Sequence, residues 1–157
     1  MGKLTEAIKD YTDALAINPG HFKALSNRGY CYERQNKLSL ALNDYTSALA
    51  LHPTHYGALV SRGAIYEKLG QTSEAIADIS GALECLDKQT NNSDSLHLHQ
   101  EDKNTTAIDQ QKNALLISRA KLSERLSGVS SKSFVNAVED YSTVINNLLA
   151  VDSTVTP

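Results

Sequence analysis

The stretch Lys3-Leu4-Thr5-Glu6-Ala7-Ile8-Lys9-Asp10-Tyr11-Thr12-Asp13-Ala14-Leu15-Ala16-Ile17-Asn18-Pro19 returns 34 residues further on as Lys37-Leu38-Ser39-Leu40-Ala41-Leu42-Asn43-Asp44-Tyr45-Thr46-Ser47-Ala48-Leu49-Ala50-Leu51-His52-Pro53. After another 34 residues a looser copy follows, Glu74-Ala75-Ile76-Ala77-Asp78-Ile79-Ser80-Gly81-Ala82-Leu83. The segment ahead of each copy recurs too: Leu25, Arg28, Gly29, Tyr32 and Glu33 match Leu59, Arg62, Gly63, Tyr66 and Glu67 at the same separation. Self-similarity at a fixed period marks a repeat architecture, in which each unit buries its apolar face against the next.

Inside each unit the apolar spacing is helical. Ala7, Tyr11, Ala14 and Leu15 step by four, three and one, and Leu25, Gly29 and Tyr32 trace a second stripe. Pro19 and Pro53 stand just past their stripes, where a ring without an N–H ends a helix. Each unit is therefore a helix–turn–helix hairpin.

A helical hairpin of this length and pattern resembles the tetratricopeptide repeat family. Its small and aromatic markers fall on Leu25, Gly29, Tyr32, Ala41, Tyr45, Ala48 and Pro53, then on Leu59, Gly63, Tyr66, Gly70, Ala75 and Ala82. Ile79 replaces the aromatic and Asp87 the proline in the second set. The resemblance implies an all-α fold, a right-handed α-solenoid of stacked hairpins with about seven helices, the first helix of each hairpin lining the concave side.

The organisation read from the pattern is an array over 1–87, with a half repeat at 1–19 and full repeats at 22–53 and 56–87. Residues 88–110 are polar and aperiodic and read as a flexible loop. A divergent fourth hairpin is expected over 111–150, where Leu116-Ile117-Ser118-Arg119-Ala120 echoes Val60-Ser61-Arg62-Gly63, and Asp140-Tyr141 echoes Asp44-Tyr45 after five extra residues. Residues 151–157 read as a tail. Met1-Gly2 aligns with the turn Leu69-Gly70, so a truncated array or a fragment of a longer one is expected.

Function follows from the surface. The family register places Lys23, Ser26, Asn27, Tyr30, Glu33 and Arg34 on the concave side of one repeat, and Val60, Ser61, Ala64, Glu67 and Lys68 on the next. The divergent hairpin adds Lys121, beside Ile117, Ser118, Glu124 and Arg125. A groove of this mixed character suits a peptide or helix of another protein, which makes the chain a non-enzymatic interaction scaffold. The alternative is a substrate-recognition or regulatory arm of a larger enzyme. Some family members grip a terminal carboxylate with Lys, Asn and Arg donors. Here Asn27 is in register, but Gly57 and Ser61 stand where cations are needed, so that use is not expected.

Arg28, Arg62 and Arg119 share one repeat position, and Asp44 and Asp78 recur beside them. A cationic ladder for an acidic ligand is one reading; the favoured one packs the arginine stems between helices with the guanidinium on a carboxylate. The apolar edge of the first helix (Leu4, Ile8, Tyr11, Leu15) offers a surface for self-association or for further repeats.

A net charge of −3 argues against nucleic acid as a partner, and no apolar run approaches a membrane span. Cys31 and Cys85 lie outside any zinc or CxxC spacing and read as inert thiols of a reducing, cytoplasmic compartment. His52 with His55, and His97 with His99, are weak metal signals without cysteine partners, so no metal or cofactor is expected.

Overall fold

In a computed structural model the residues described are 2–93, 103–127, 137 and 139–146. The helices are α1 (Gly2–Ile17), α2 (Phe22–Arg34), α3 (Leu38–Leu51), α4 (Tyr56–Lys68), α5 (Thr72–Ser93) and α6 (Lys103–Ser127), followed by a helical stretch at 139–146. No strand occurs among the described residues. The chain divides into two compact units, residues 1–82 and 83–157, with α5 running through the division.

In the first unit the hairpins are closed by the same chain reversal. Asn36 (φ 58°) and Gly70 (φ 74°), one repeat apart, both take the left-handed conformation that ends a helix. Around Asn36, the Lys37 N–H donates to the Tyr32 carbonyl at 2.9 Å and the Asn36 N–H to the Glu33 carbonyl at 2.8 Å. Around Gly70, the Gln71 N–H reaches the Tyr66 carbonyl at 2.9 Å and the Gly70 N–H the Glu67 carbonyl at 3.0 Å. These bonds satisfy carbonyls that the helix end would leave open, and they turn each first helix back onto its second.

Close packing follows from small residues at the crossings. A side-chain carbon added to Gly29 would lie 3.1 Å from Tyr45 Cε1 and 3.3 Å from Asp44 Cβ; one added to Gly63 would lie 3.3 Å from Asp78 Cβ. Ala41, Ala48, Ala58, Ala75 and Ala82 are wholly buried, with Tyr45 and Ile65 filling the space between them. Leu15, Ala24, Leu25 and Ala48 form a cluster joined by Tyr11 and Phe22, which seals α1 onto the α2–α3 hairpin. Leu15, expected at an exposed edge, is thus a core residue, because α2 covers that side of α1; Leu4, Ile8 and Tyr11 are half-buried.

The second unit has its own core, from Leu83, Cys85 and Leu86 of α5, Leu115, Leu116, Ala120 and Leu122 of α6, and Ala137 and Val144. Both cysteines are free and buried, and burial pushes each thiol pKa up, away from the reactive thiolate.

The polar segment read as a loop over 88–110 is corrected at both ends. It is helical over 88–93 within α5 and over 103–110 within α6. The reason is local: Asp87 occupies the place of Pro19 and Pro53, so nothing stops α5, and adding residues to an existing helix is cheap compared with nucleating one. Lys88 pairs with Glu84 one turn back at 3.8 Å. Residues 94–102 and the expected tail at 151–157 lie outside the described residues.

At the junction of the first two hairpins, Phe22 stacks on His52 with ring centroids 4.5 Å apart and meets the edge of His55 at 5.3 Å. Burial first, then the charges of His52 and Lys23, lower the His55 pKa below its ordinary 6.5. The unfolded chain therefore binds a proton that the folded one resists. Stability rises with pH through the interval between the folded value and 6.5, and is lost as pH falls below 6.5. Urea melts at pH 7.5 and 5.5 are expected to show this loss, reduced in His55→Gln; equal pH dependence in the two proteins would contradict it.

Candidate protein-binding surface

The residues expected in the groove divide by environment. On α2, Lys23, Asn27, Tyr30 and Arg34 are exposed, and Tyr30 keeps 50% of its surface in solvent. Ser26 is the exception: it is buried at 8% and offers no contact surface. On α4, Val60, Ser61 and Ala64 are half-buried, and Glu67 and Lys68 are exposed. Lys121 on α6 is exposed and belongs to the second unit.

Two polar groupings hold this face. The Arg34 guanidinium lies 6.0 Å from the Tyr30 ring centre and its Nη1 donates to the Tyr30 hydroxyl at 3.3 Å. This fixes an aromatic ring and a cation as one exposed element. The second grouping links three helices: the Tyr45 hydroxyl of α3 donates to Glu33 Oε2 of α2 at 3.1 Å, and Lys68 Nζ of α4 lies 3.6 Å from Glu33 Oε1. Burial above all, and the Glu33 charge with it, hold the Tyr45 phenol well above its ordinary pKa, so it stays a neutral donor. Of the groove residues, then, Tyr30 and Arg34 come together, as do Glu33 and Lys68. Lys23 and Asn27 stand apart from both groupings.

The shared arginine position is structural. Arg28 grips Asp44 through Nε to Oδ2 at 2.8 Å and Nη2 to Oδ1 at 2.8 Å, while its Nη1 donates to Thr12 of the preceding helix at 3.2 Å. Arg62 repeats the arrangement on Asp78 at 2.8 and 2.7 Å and on Thr46 at 3.2 Å. Arg119 closes the same fork on Asp140. The aspartates are 2–5% exposed and their side chains are acceptors only, so the planar fork satisfies them as a lysine would not. The stems carry a further contact: the Arg28 and Arg62 guanidiniums lie 5.9 and 5.7 Å from the rings of Tyr32 and Tyr66. With their forks occupied, these arginines form no open ladder for an acidic ligand.

The Arg119–Asp140 latch joins α6 to the helical stretch at 139–146. Its partners are 21 residues apart, against 16 for Arg28–Asp44 and Arg62–Asp78. The difference is the five residues inserted after the resemblance to the earlier repeats resumes.

Sequence patterns of the tetratricopeptide repeat family match residues 22–55 and, separately, residues 44–77. Residues 22–77 of the chain thus carry tetratricopeptide repeats. Its fold is the all-α helical solenoid of that family, and several solved structures share it. A double mutant of MamA RS-1 superposes with a TM-score of 0.65 at 17% identity, over 97% of this chain and 70% of that one. MamA from residue 41 to its end, from Desulfovibrio magneticus RS-1, gives 0.62 at 16% identity, over 95% and 68%. A tetratricopeptide repeat protein from Parabacteroides merdae ATCC 43184 gives 0.53 at 22% identity, over 99% and 60%. At these identities the likeness is one of fold. No curated protein matches the chain in sequence. Tetratricopeptide repeats are a protein-interaction fold, and residues 22–77 carry them. No helix among the described residues is long and apolar enough to cross a membrane.

Sequence reasoning missed one feature of the surface. Thr46, Leu49, Ala50, Pro53, Leu59 and Arg62 line an open notch in the first unit. Leu83, Glu84, Asp87, Lys112, Leu116, Arg119 and Thr143 line its counterpart in the second. The repeat shift relates Leu49, Ala50 and Pro53 to Leu83, Glu84 and Asp87, and this was the signal that could have found it. The first notch is mostly apolar; in the second, Lys112 reaches Asp87 at 2.6 Å across it.

Proposed function

We propose that the chain is a non-catalytic adaptor that holds a peptide or helix of another protein along the face of α2 and α4. The observation that carries this reading is Tyr30, a large aromatic left half exposed and braced by Arg34 on the helix the family presents to its ligands. Aromatic and arginine anchors supply most of the energy of protein interfaces, because they bury much area with little rotameric freedom to lose. Around this anchor lie Lys23 and Asn27 on α2 and Glu67 and Lys68 on α4, which are suited to a polar rim.

The surrounding network favours a preformed site. Glu33 is tied to Tyr45, and Tyr45 is buried in the hairpin core, so α2 and α3 carry the anchor as one body. A ligand then pays little to order the surface it meets.

The test is selection of peptides from a displayed library on the wild-type protein, followed by titration of the selected sequences against Tyr30→Ala and Arg34→Glu. Losses of tenfold or more are expected for each, with unchanged melting curves, since hot-spot truncations cost about 2 kcal/mol or more. Selected peptides that bind both variants as tightly as wild type would place the site elsewhere.

A further inference from the structure

We infer that α1 carries a vacant latch, a docking site for a helix from outside these 157 residues that bears the pattern Arg-Gly-x-x-Tyr. In the second helices of the hairpins, Asp44, Asp78 and Asp140 are buried, and each is gripped by an arginine of the first helix covering it. The equivalent aspartate of α1 is Asp10, which is exposed and has no partner among the described residues.

The surface around Asp10 repeats the same seat. Ala7 and Ala14 are half-buried, whereas their counterparts Ala41, Ala75, Ala48 and Ala82 are wholly buried. Tyr11 is half-buried where Tyr45 is 1% exposed. The opposite side of α1 is already used as in the other repeats, since Thr12 accepts from Arg28 as Thr46 accepts from Arg62. One face of α1 is therefore engaged and the other keeps the shape and charge of a socket.

The occupied latches specify the occupant. An arginine is required, because the socket aspartate accepts two parallel N–H bonds at the spacing of a guanidinium fork. Glycine, or alanine as at Ala120, suits the next place, because a side-chain carbon added at Gly29 or Gly63 would already lie 3.3 Å from the aspartate Cβ. An aromatic four residues after the arginine covers the guanidinium, as Tyr32 and Tyr66 do. A second copy of this chain is a poor occupant: Arg28, Arg62 and Arg119 each already hold an aspartate of their own chain.

A fluorescent peptide copying Thr54–Gly70, which contains Arg62-Gly63-Ala64-Ile65-Tyr66, is the probe. Anisotropy titration is expected to show saturable binding to the whole protein, weakened about tenfold or more by Asp10→Asn, by Ala7→Leu, or by Arg62→Gln in the peptide alone. Because Asp10 is exposed and Ala7 half-buried, both protein variants should melt as wild type does. Tyr30→Ala should bind the peptide normally, which separates this site from the α2–α4 face. Absence of binding, or binding indifferent to Asp10→Asn, would overturn the inference. So would a dimer of this chain, detected by sedimentation, that Asp10→Asn dissolves.

Discussion

Asp78→Ala is expected to destabilise the protein by about 3 kcal/mol, because removing one partner of a buried ion pair strands the other. Arg62 keeps 19% exposure, which places the cost at the lower end for such pairs. For a unit of this size the shift corresponds to a fall in melting temperature of about 12 °C or more. The loss is not electrostatic alone. Arg62 bonds Thr46 of the preceding hairpin and Asp78 of its own, so its fork spans three successive helices. The control is the double variant Arg62→Met/Asp78→Ala, which removes both charges and keeps an unbranched stem. It should recover a large part of the loss, since replacing both members of a buried pair by apolar groups is often close to neutral. If Asp78→Ala melts within a degree or two of wild type, the latch is not a structural element.

Tyr45→Ala is expected to cost about 3–5 kcal/mol, the range for deleting a buried aromatic ring. Tyr45 is 1% exposed and lies against Gly29 at the crossing of α2 and α3. Tyr45→Phe isolates the hydroxyl, and its loss should cost about 0.5–1.5 kcal/mol, the net worth of one hydrogen bond. Denaturant melts of the two variants separate packing from the bond to Glu33. A Tyr45→Ala cost no larger than that of Tyr45→Phe would contradict the packing role of the ring.

The repeat was legible because its constraints are local and periodic. Pro19 and Pro53 stop helices by chemistry that needs no tertiary context, and Gly29, Gly63, Ala41 and Ala75 mark crossings by size. The arginine latches were legible in pairs because Asp44 and Asp78 travel with Arg28 and Arg62 through the period. The polar segment after Asp87 was misread because composition reports burial, not helicity: α5 continues through Lys88 and Gln89 although neither residue meets a core. Ser26 was placed on the ligand face by register, yet it is buried, a matter of local packing on which the register is silent. The vacancy at Asp10 appears only by comparing burial among equivalent residues, which a sequence does not carry.

The two surfaces divide the chain's possible contacts cleanly. The α2–α4 face offers an exposed aromatic held by a cation, and the outer face of α1 offers a carboxylate with no partner among the described residues. On the two proposals, their chemistries select different partners, so one adaptor would hold a ligand while joining a neighbouring helix.

The most direct test of the adaptor reading is backbone amide chemical-shift mapping of the whole protein during titration with a selected peptide ligand. The account predicts shifts concentrated on α2 and α4, at Asn27, Tyr30, Arg34, Ala64 and Lys68, growing in parallel with occupancy. Shifts confined to α6, or to the notch lined by Leu49, Pro53 and Leu59, with Tyr30 and Arg34 unmoved, would contradict it.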